Sequence, residues 1–245
     1  MRQIPGERTW IPDVWRAATL DDVTLREAWA LRATIMDLKP DVDPEADFQA
    51  YVEEIRGGEW ACILRDREGA IVGTLFAALI EGEHEGRGYV LWAPEYAMIA
   101  PAFRGSPRLA VAALGMYAEA IWRARGRPMF VVGAGYPGGV VTVAAVTDPM
   151  WLPGDELPSW ESGLQRRLIE EAGCDSSGVK RMRTIPRAPR LTPPSAGRPR
   201  QRAIWEAYAK KNPRWAEGFG LYCFGRITLR SGLLGLVEGA RRMWR

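Results

Sequence analysis

The clearest chemical pattern lies in the twelve residues from Ile99 to Ala110, which read Ile-Ala-Pro-Ala-Phe-Arg-Gly-Ser-Pro-Arg-Leu-Ala. They follow an apolar run typical of a strand and precede a long run with helical periodicity. A strand that ends in Arg104-Gly105 and leads into a helix brings unpaired backbone N–H groups and the positive end of the helix dipole together. The segment is therefore a candidate site for a phosphate group.

The same residues resemble the acyl-CoA loop of the GCN5-related N-acetyltransferase superfamily. In that family a strand ending in Val/Ile-x-Pro-x-aromatic runs into Arg/Gln-x-x-Gly-x-Gly/Ala, and the loop amides hold the pyrophosphate of CoA. The run from Ile99 to Gly105 matches this pattern, whereas Pro107 and Leu109 stand where the family usually has glycines. Pro107 has no N–H to donate and Leu109 limits the approach of the backbone, so we expect a divergent member with a degenerate acyl-CoA loop.

The resemblance implies acetyl-CoA or another acyl-CoA as co-substrate and no metal. It assigns the backbone of two strand residues to the pantetheine arm and five later residues to the pyrophosphate. These are Ala97 and Ile99 for the arm, and Arg104, Gly105, Ser106, Arg108 and Ala110 for the pyrophosphate. The alternative for the two arginines is a surface ion pair.

Direct transfer of an acyl group from a thioester to an amine needs a base for the amine proton and an acid for the leaving thiolate. Glu95 is the candidate base, because related enzymes often place a carboxylate in the strand that leads to the loop. Its apolar neighbours are expected to raise its pKa toward neutrality. Tyr136, after the next strand, is the candidate acid, and Tyr208 and Tyr222 are alternatives. The competing interpretations are an outward-facing glutamate and a packing aromatic residue.

A second glycine pattern competes with the first. The run from Gly133 to Gly138 has the Gly-x-Gly-x-x-Gly form of a dinucleotide-binding site. Pro149 and Pro153 interrupt the residues that follow, so the sequence does not predict the second parallel strand that a dinucleotide-binding site needs. We interpret these glycines as a flexible loop where strands diverge, close to the acyl group. The only histidine, His84, is expected in a solvated loop, which disfavours a histidine-dependent hydrolase.

Length and composition are typical of a soluble globular protein. The 245 residues are 47% hydrophobic and 26% charged, and the apolar runs are too short for a transmembrane helix. The three cysteines are widely separated, and the first residues lack the apolar core of a signal peptide. We therefore expect a reducing, cytoplasmic location.

Charge is divided unevenly along the chain. Residues 1–175 carry 17 basic and 27 acidic side chains, whereas residues 176–245 carry 16 and 3, a net charge of +13. Such a basic part could attract CoA phosphates, an acidic acyl carrier protein or nucleic acid, of which nucleic acid is the least favoured. The alternative is an arginine-rich surface that neutralises the acidic first part of the chain.

The order of the elements predicts an α/β protein with a GCN5-like mixed central sheet flanked by helices and with a C-terminal extension. The resemblance in this order covers residues 18–135. Helices are predicted at about 21–36, 43–56, 106–125, 158–172, 201–211 and 233–244, strands at 59–66, 70–81, 89–100, 128–132, 179–185 and 220–229, and a loop at 82–88.

We divide the chain into an N-terminal arm of residues 1–17, an acyltransferase core of residues 18–175 and a basic part of residues 176–245. The basic part is expected to complete the sheet and to contain a proline-rich loop at 186–200. The implied function is transfer of an acyl group from acyl-CoA to a small-molecule or peptide amine. The alternatives are an N-acyltransferase that depends on a carrier protein and a binding module that keeps the fold without catalysis.

Overall fold

The computed structural model describes residues 13–103, 108–144, 147–187, 199–228 and 231. The strands are β1 Asp13–Arg16, β2 Met36–Leu38, β3 Trp60–Arg65, β4 Ile71–His84, β5 Arg87–Ile99, β6 Met129–Gly135, β7 Met150–Trp151, β8 Val179–Arg181, β9 Thr184–Pro186 and β10 Phe219–Ile227. The helices are α1 Asp22–Ala33, α2 Pro44–Gly57, α3 Arg108–Ala124, α4 Pro137–Ala144, α5 Ser159–Glu171 and α6 Pro199–Lys211. The expected α/β fold is confirmed.

The first two helices begin at side-chain caps that the sequence predicted. The carboxylate of Asp21 accepts a hydrogen bond from the Thr24 amide at 2.7 Å, and that of Asp43 accepts one from the Ala46 amide at 2.8 Å. Each bond satisfies one of the free N–H groups of a first helical turn. Helix α1 ends earlier than expected, at Ala33, because the next residues turn into β2.

The main sheet has the order β1-β3-β4-β5-β6-β10-β7, and β8 also pairs with β10. Neighbouring strands are antiparallel except for β5 and β6, which are parallel. Strands β2 and β9 form a separate two-stranded sheet. The central sheet is therefore mixed, as expected, and its single parallel contact lies in the middle.

Hydrophobic cores lie on both faces of the sheet. Helices α1, α2 and α5 cover one face, and α3, α4 and α6 cover the other. Successive side chains of β3 point to opposite faces of the sheet, which is why both faces are apolar. Ala61 and Ile63 pack under α1 and α2, while Trp60 and Cys62 pack under α3. Within the residues that the structure describes, no helix is long and apolar enough to cross a membrane.

The predicted loop over residues 82–88 is wrong, because β4 and β5 continue into it as a hairpin. Only Glu85 and Gly86 form the turn, with φ angles of 49° and 73°. Two central residues with positive φ are typical of the type I′ turn that suits a two-residue hairpin. His84 consequently lies at a strand end with its ring 5.7 Å from that of Trp160, not in a solvated loop.

The predicted glycine loop at 133–138 is also wrong. Gly133 and Gly135 belong to β6 and pair with β10, and Pro137 begins α4. Proline suits the first turn of a helix, because its missing N–H would have no partner there. The strand after α4 that pairs with β6 is β10, which is antiparallel to it, so β6 and α4 do not begin the parallel strand–helix–strand unit that a dinucleotide site uses.

The single strand predicted over residues 179–185 is two strands, β8 and β9, which pair with different partners. The predicted helices at 158–172 and 201–211 correspond to α5 and α6. The predicted helix at 233–244 and residues 188–198 of the proline-rich loop lie outside the described residues.

Candidate active site at the opening between two strands

The central strands β5 and β6 separate after a short contact. They pair only from Val90 to Trp92 of β5 and from Met129 to Val131 of β6. Beyond this point β5 continues alongside β4, and β6 continues alongside β10. The middle of the sheet therefore has an opening bordered by two strand edges that do not pair with each other.

The edge of β5 that borders this opening contains the two residues assigned to the pantetheine arm. The amide of Ala100 donates to the carbonyl of Val72 at 2.8 Å, so this peptide group faces β4. Successive residues of a strand direct their peptide groups to opposite edges. The peptide group of Ile99 therefore faces the opening, whereas Ala97 lies where a β-bulge interrupts this alternation.

A β-bulge shapes β5 next to these residues. Thr74 pairs with Met98 and Phe76 pairs with Glu95, so two residues of β5 stand opposite Leu75 alone. One of the two, Tyr96, has a φ of 46°, and its carbonyl accepts a hydrogen bond from the Thr74 hydroxyl at 2.9 Å. A bulge of this kind bends the strand and changes the direction of the side chains around it.

Glu95 lies directly before the bulge, on the sheet face that α1, α2 and α5 cover. The residue is exposed, so solvent reaches it. The protein nevertheless raises the pKa of its carboxyl to about 7, first because nearby protein atoms displace part of its hydration and then through the negative charge of Glu54, against the opposing positive charges of Lys180 and Arg183. The direction agrees with the expectation from the apolar neighbours, and the contribution of Glu54 is new.

Tyr136 lies on the other side of the opening, immediately after β6. Its hydroxyl is buried and donates to the Thr184 carbonyl at 2.5 Å. Burial raises the pKa of this phenol to about 12, so it keeps its proton at neutral pH. Glu95 and Tyr136 thus stand on opposite strands, both beyond the last pair between β5 and β6.

The two alternative tyrosines lie within the core. The Tyr208 hydroxyl donates to the Gly135 carbonyl at 2.8 Å and accepts from the Asn212 side chain and the Leu221 amide, each at 3.1 Å. Tyr222 is buried in the cluster under α5. Of the three tyrosines, Tyr136 alone directly follows the free end of β6.

The residues assigned to the pyrophosphate are described only in part. Arg104, Gly105 and Ser106 lie outside the described residues. Arg108 is the first residue of α3, and Ala110 belongs to the first turn of that helix. The backbone N–H groups of a first turn have no partner within the helix, and four residues separate the start of α3 from Phe103, the last described residue before it.

Residues 179–187, which we call the strap, connect the two parts of the molecule on either side of the opening. At one end β8 pairs with β10, and at the other β9 pairs with β2. Between them Arg183 reaches Asp47 and Glu54 of α2 and the hydroxyl of Tyr96. The sequence analysis predicted one strand here and missed its division into two, because strands of three residues are too short to show a periodic pattern.

No family model matches the chain, and no curated protein matches it. Solved structures do match. A protein of Enterococcus faecalis V583 described as a probable N-acyltransferase is 11% identical over 51% of this chain, with a TM-score of 0.38, and the chain spans 30% of its length. A GNAT-family N-acetyltransferase of Escherichia coli in complex with CoA is 16% identical over 66% of this chain and 82% of its own, with a TM-score of 0.38.

An aminoglycoside 6′-N-acetyltransferase complexed with coenzyme A is 10% identical over 88% of this chain and 97% of its own, with a TM-score of 0.40. The features of this chain that resemble the GCN5-related superfamily are the strand order, the opening between β5 and β6 and the sequence from Ile99 to Gly105.

Proposed function

We propose that this chain is a divergent GCN5-related N-acyltransferase, which moves an acyl group from acyl-CoA to an amine by direct transfer. The observation that carries the proposal is the place of Glu95. A carboxyl with a pKa of about 7 stands within reach of solvent, beside the free edge of β5. A general base is most effective when its pKa lies near the operating pH.

The free edge of β5 supports acyl-CoA as the donor. The pantetheine arm contains amide groups, and the peptide group of Ile99 faces the opening, where such an arm would add as a strand does alongside Ile99 and Ala97. Arg104, Gly105 and Ser106, with Arg108 and Ala110 in the first turn of α3, would hold the pyrophosphate. This site needs no metal, and among the described residues no group of three or more His, Cys, Asp or Glu could hold one.

Acyl-CoA supplies a thioester carbonyl carbon to the reaction. Glu95 accepts the proton that the amine nitrogen loses as it bonds to that carbon. The C–S bond breaks, and Tyr136 donates its phenolic proton to the sulfur, so that the products are an amide and a thiol. Burial raises the pKa of Tyr136 to about 12, so the phenol holds its proton at neutral pH and is a weaker acid than tyrosine in water. Its proton therefore moves only as negative charge develops on the sulfur, and the phenolate then regains a proton from solvent.

The test compares Glu95→Gln with Glu53→Gln, a matched change at an exposed carboxylate of α2. Release of free thiol from acetyl-CoA is followed with a panel of amines, and CoA binding is measured by calorimetry. Glu95→Gln is expected to lower kcat roughly 10²- to 10⁴-fold without changing the dissociation constant of CoA. Normal transfer by Glu95→Gln, or no binding of CoA by the unmodified protein, contradicts the proposal.

The pH dependence provides a second measurement on the same variants. A base must be deprotonated, so kcat/KM of the unmodified protein is expected to rise with pH through about 7, the pKa of Glu95. Glu53→Gln should keep this acid limb. If the residual activity of Glu95→Gln keeps it as well, the limb belongs to another group.

A further inference from the structure

The guanidinium of Arg183 makes the densest set of polar contacts in the strap. Its Nη2 donates to both carboxylate oxygens of Glu54, at 2.9 and 2.8 Å, and to the Tyr96 hydroxyl at 2.9 Å. Its Nε lies 3.1 Å from Oδ1 of Asp47. The Tyr96 hydroxyl in turn donates to Glu54. One side chain therefore joins the strap to α2 and to the bulge of β5.

Asp47, the buried carboxylate that Arg183 contacts, is also held by other side chains. Asp47 is buried and also accepts hydrogen bonds from the Arg32 guanidinium and, at 2.7 Å, from the Trp29 indole. A buried carboxylate with three donors has little freedom to move, because the loss of any donor would leave its charge uncompensated. The position of Arg183 is thus fixed by α1 and α2, not by the strap alone.

Glu95 is the residue next to Tyr96 in the chain, so this set of contacts borders the candidate base. The charged groups that face Glu95 are Glu54 from α2 and Lys180 and Arg183 from the strap. Arg183 both opposes the charge of Glu54 and holds the tyrosine of the bulge. The Lys180 side chain supplies charge alone, since no ion pair or side-chain hydrogen bond joins it to the residues that the structure describes.

We propose that Arg183 is a positioning residue: by joining the strap, α2 and the bulge, it holds the Glu95 carboxyl in the geometry that accepts the amine proton. This role rests on the proposed function. Lysine cannot replace the planar guanidinium, because a single ammonium group does not reach Asp47, Glu54 and Tyr96 together.

The experiment compares three variants of the full chain: Arg183→Met, Arg183→Lys and Arg181→Met. The last is the matched control, because Arg181 also lies in the strap but pairs with Asp41. Two readouts are measured: kcat and KM with acetyl-CoA, and the titration of the Glu95 carboxyl by NMR of protein labelled with ¹³C-glutamate. The Glu95 signal is assigned with Glu95→Gln.

Arg183→Met is expected to lower kcat roughly 10- to 100-fold with little change in the KM for acetyl-CoA, as displacement of a catalytic group does. Its Glu95 titration should move to higher pH, because the removed cation opposed Glu54. Arg183→Lys should keep the titration near that of the unmodified protein while kcat stays low. Arg181→Met should leave both readouts unchanged.

The proposal is overturned if folded Arg183→Met keeps the normal kcat and Glu95 titration, or if Arg183→Lys restores full kcat. If circular dichroism shows that Arg183→Met does not fold, the kcat and the Glu95 titration of Arg183→Lys decide the question. A low kcat with a normal titration supports the proposal, and a full kcat overturns it. The NMR titration of Glu95 can be measured without acyl transfer. It therefore tests the link between Arg183 and Glu95 independently of the proposed acyltransferase activity. Absence of transfer to any amine overturns the proposed function, whereas a Glu95 titration that Arg183→Met moves still supports the link between Arg183 and Glu95.

Discussion

At Tyr136 one substitution can separate the structural role of the hydroxyl from the chemical role that we propose for it. Tyr136→Phe removes the donor to the buried Thr184 carbonyl, so the free energy of unfolding should fall by about 1–3 kcal/mol. It also removes the proton for the leaving thiolate, so kcat should fall roughly 100-fold. Urea unfolding and thiol release from acetyl-CoA measure the two effects.

Tyr208→Phe is the matched control for that substitution. Its hydroxyl is also buried and has three hydrogen-bond partners, but it lies under β6 and β10, within the core. We expect Tyr208→Phe to lower stability while the folded protein keeps its kcat. A Tyr136→Phe protein that loses stability and keeps kcat would show that Tyr136 only packs and hydrogen-bonds.

The candidate residues differ in how much of their surroundings the sequence could reveal. Glu95 was recognisable from its place before Ile99 and from its apolar neighbours, and the rise in its pKa follows from them. Glu54 lies 41 positions earlier in the chain, so no local pattern connects its charge with Glu95. Only the packing of α2 across the end of β5 brings the two carboxylates together.

At the scale of elements, Asp47 connects α1, α2 and the strap, and its removal should have a large effect on stability. Asp47→Asn leaves the buried Arg32 without its counter-charge, so the free energy of unfolding is expected to fall by about 3–5 kcal/mol. The control is Asp37→Asn, which breaks an exposed ion pair between β2 and Arg187 and should change stability little. Equal losses of stability in urea unfolding would contradict a special role for Asp47.

Elements with a local start or stop signal were predicted well, and those defined by distant partners were not. The carboxylate caps at Asp21 and Asp43 located α1 and α2. Helix α4 was missed because Pro137 and the glycines after it read as a loop, although proline is well suited to a helix start. Strand β9 pairs with β2 across about 150 residues, and its three residues carry no signal of that pairing.

At the scale of the whole molecule, the basic part of the chain is extensively paired with the acidic part. The structure describes ten Lys and Arg residues between positions 176 and 228, and eight of them are in ion pairs. Six of these eight pair with an acid that lies before residue 176. These contacts favour internal neutralisation over an acidic partner as the reason for the uneven charge.

This pairing leads to the expectation that free acyl-CoA is a full donor and that an acyl carrier protein is no better. The two donors are compared at matched acyl chains in about 0.05 M and 0.5 M salt, between which surface attraction is strongly screened. Duplex DNA, tested at about 0.15 M salt, is expected not to bind. A carrier donor at least about tenfold more efficient at low salt, with the advantage lost at high salt, would instead show steering of an acidic partner by basic residues. Internal ion pairs already occupy most of the described arginines. Such a result would therefore mean that the acidic partner binds basic residues outside the described part of the chain.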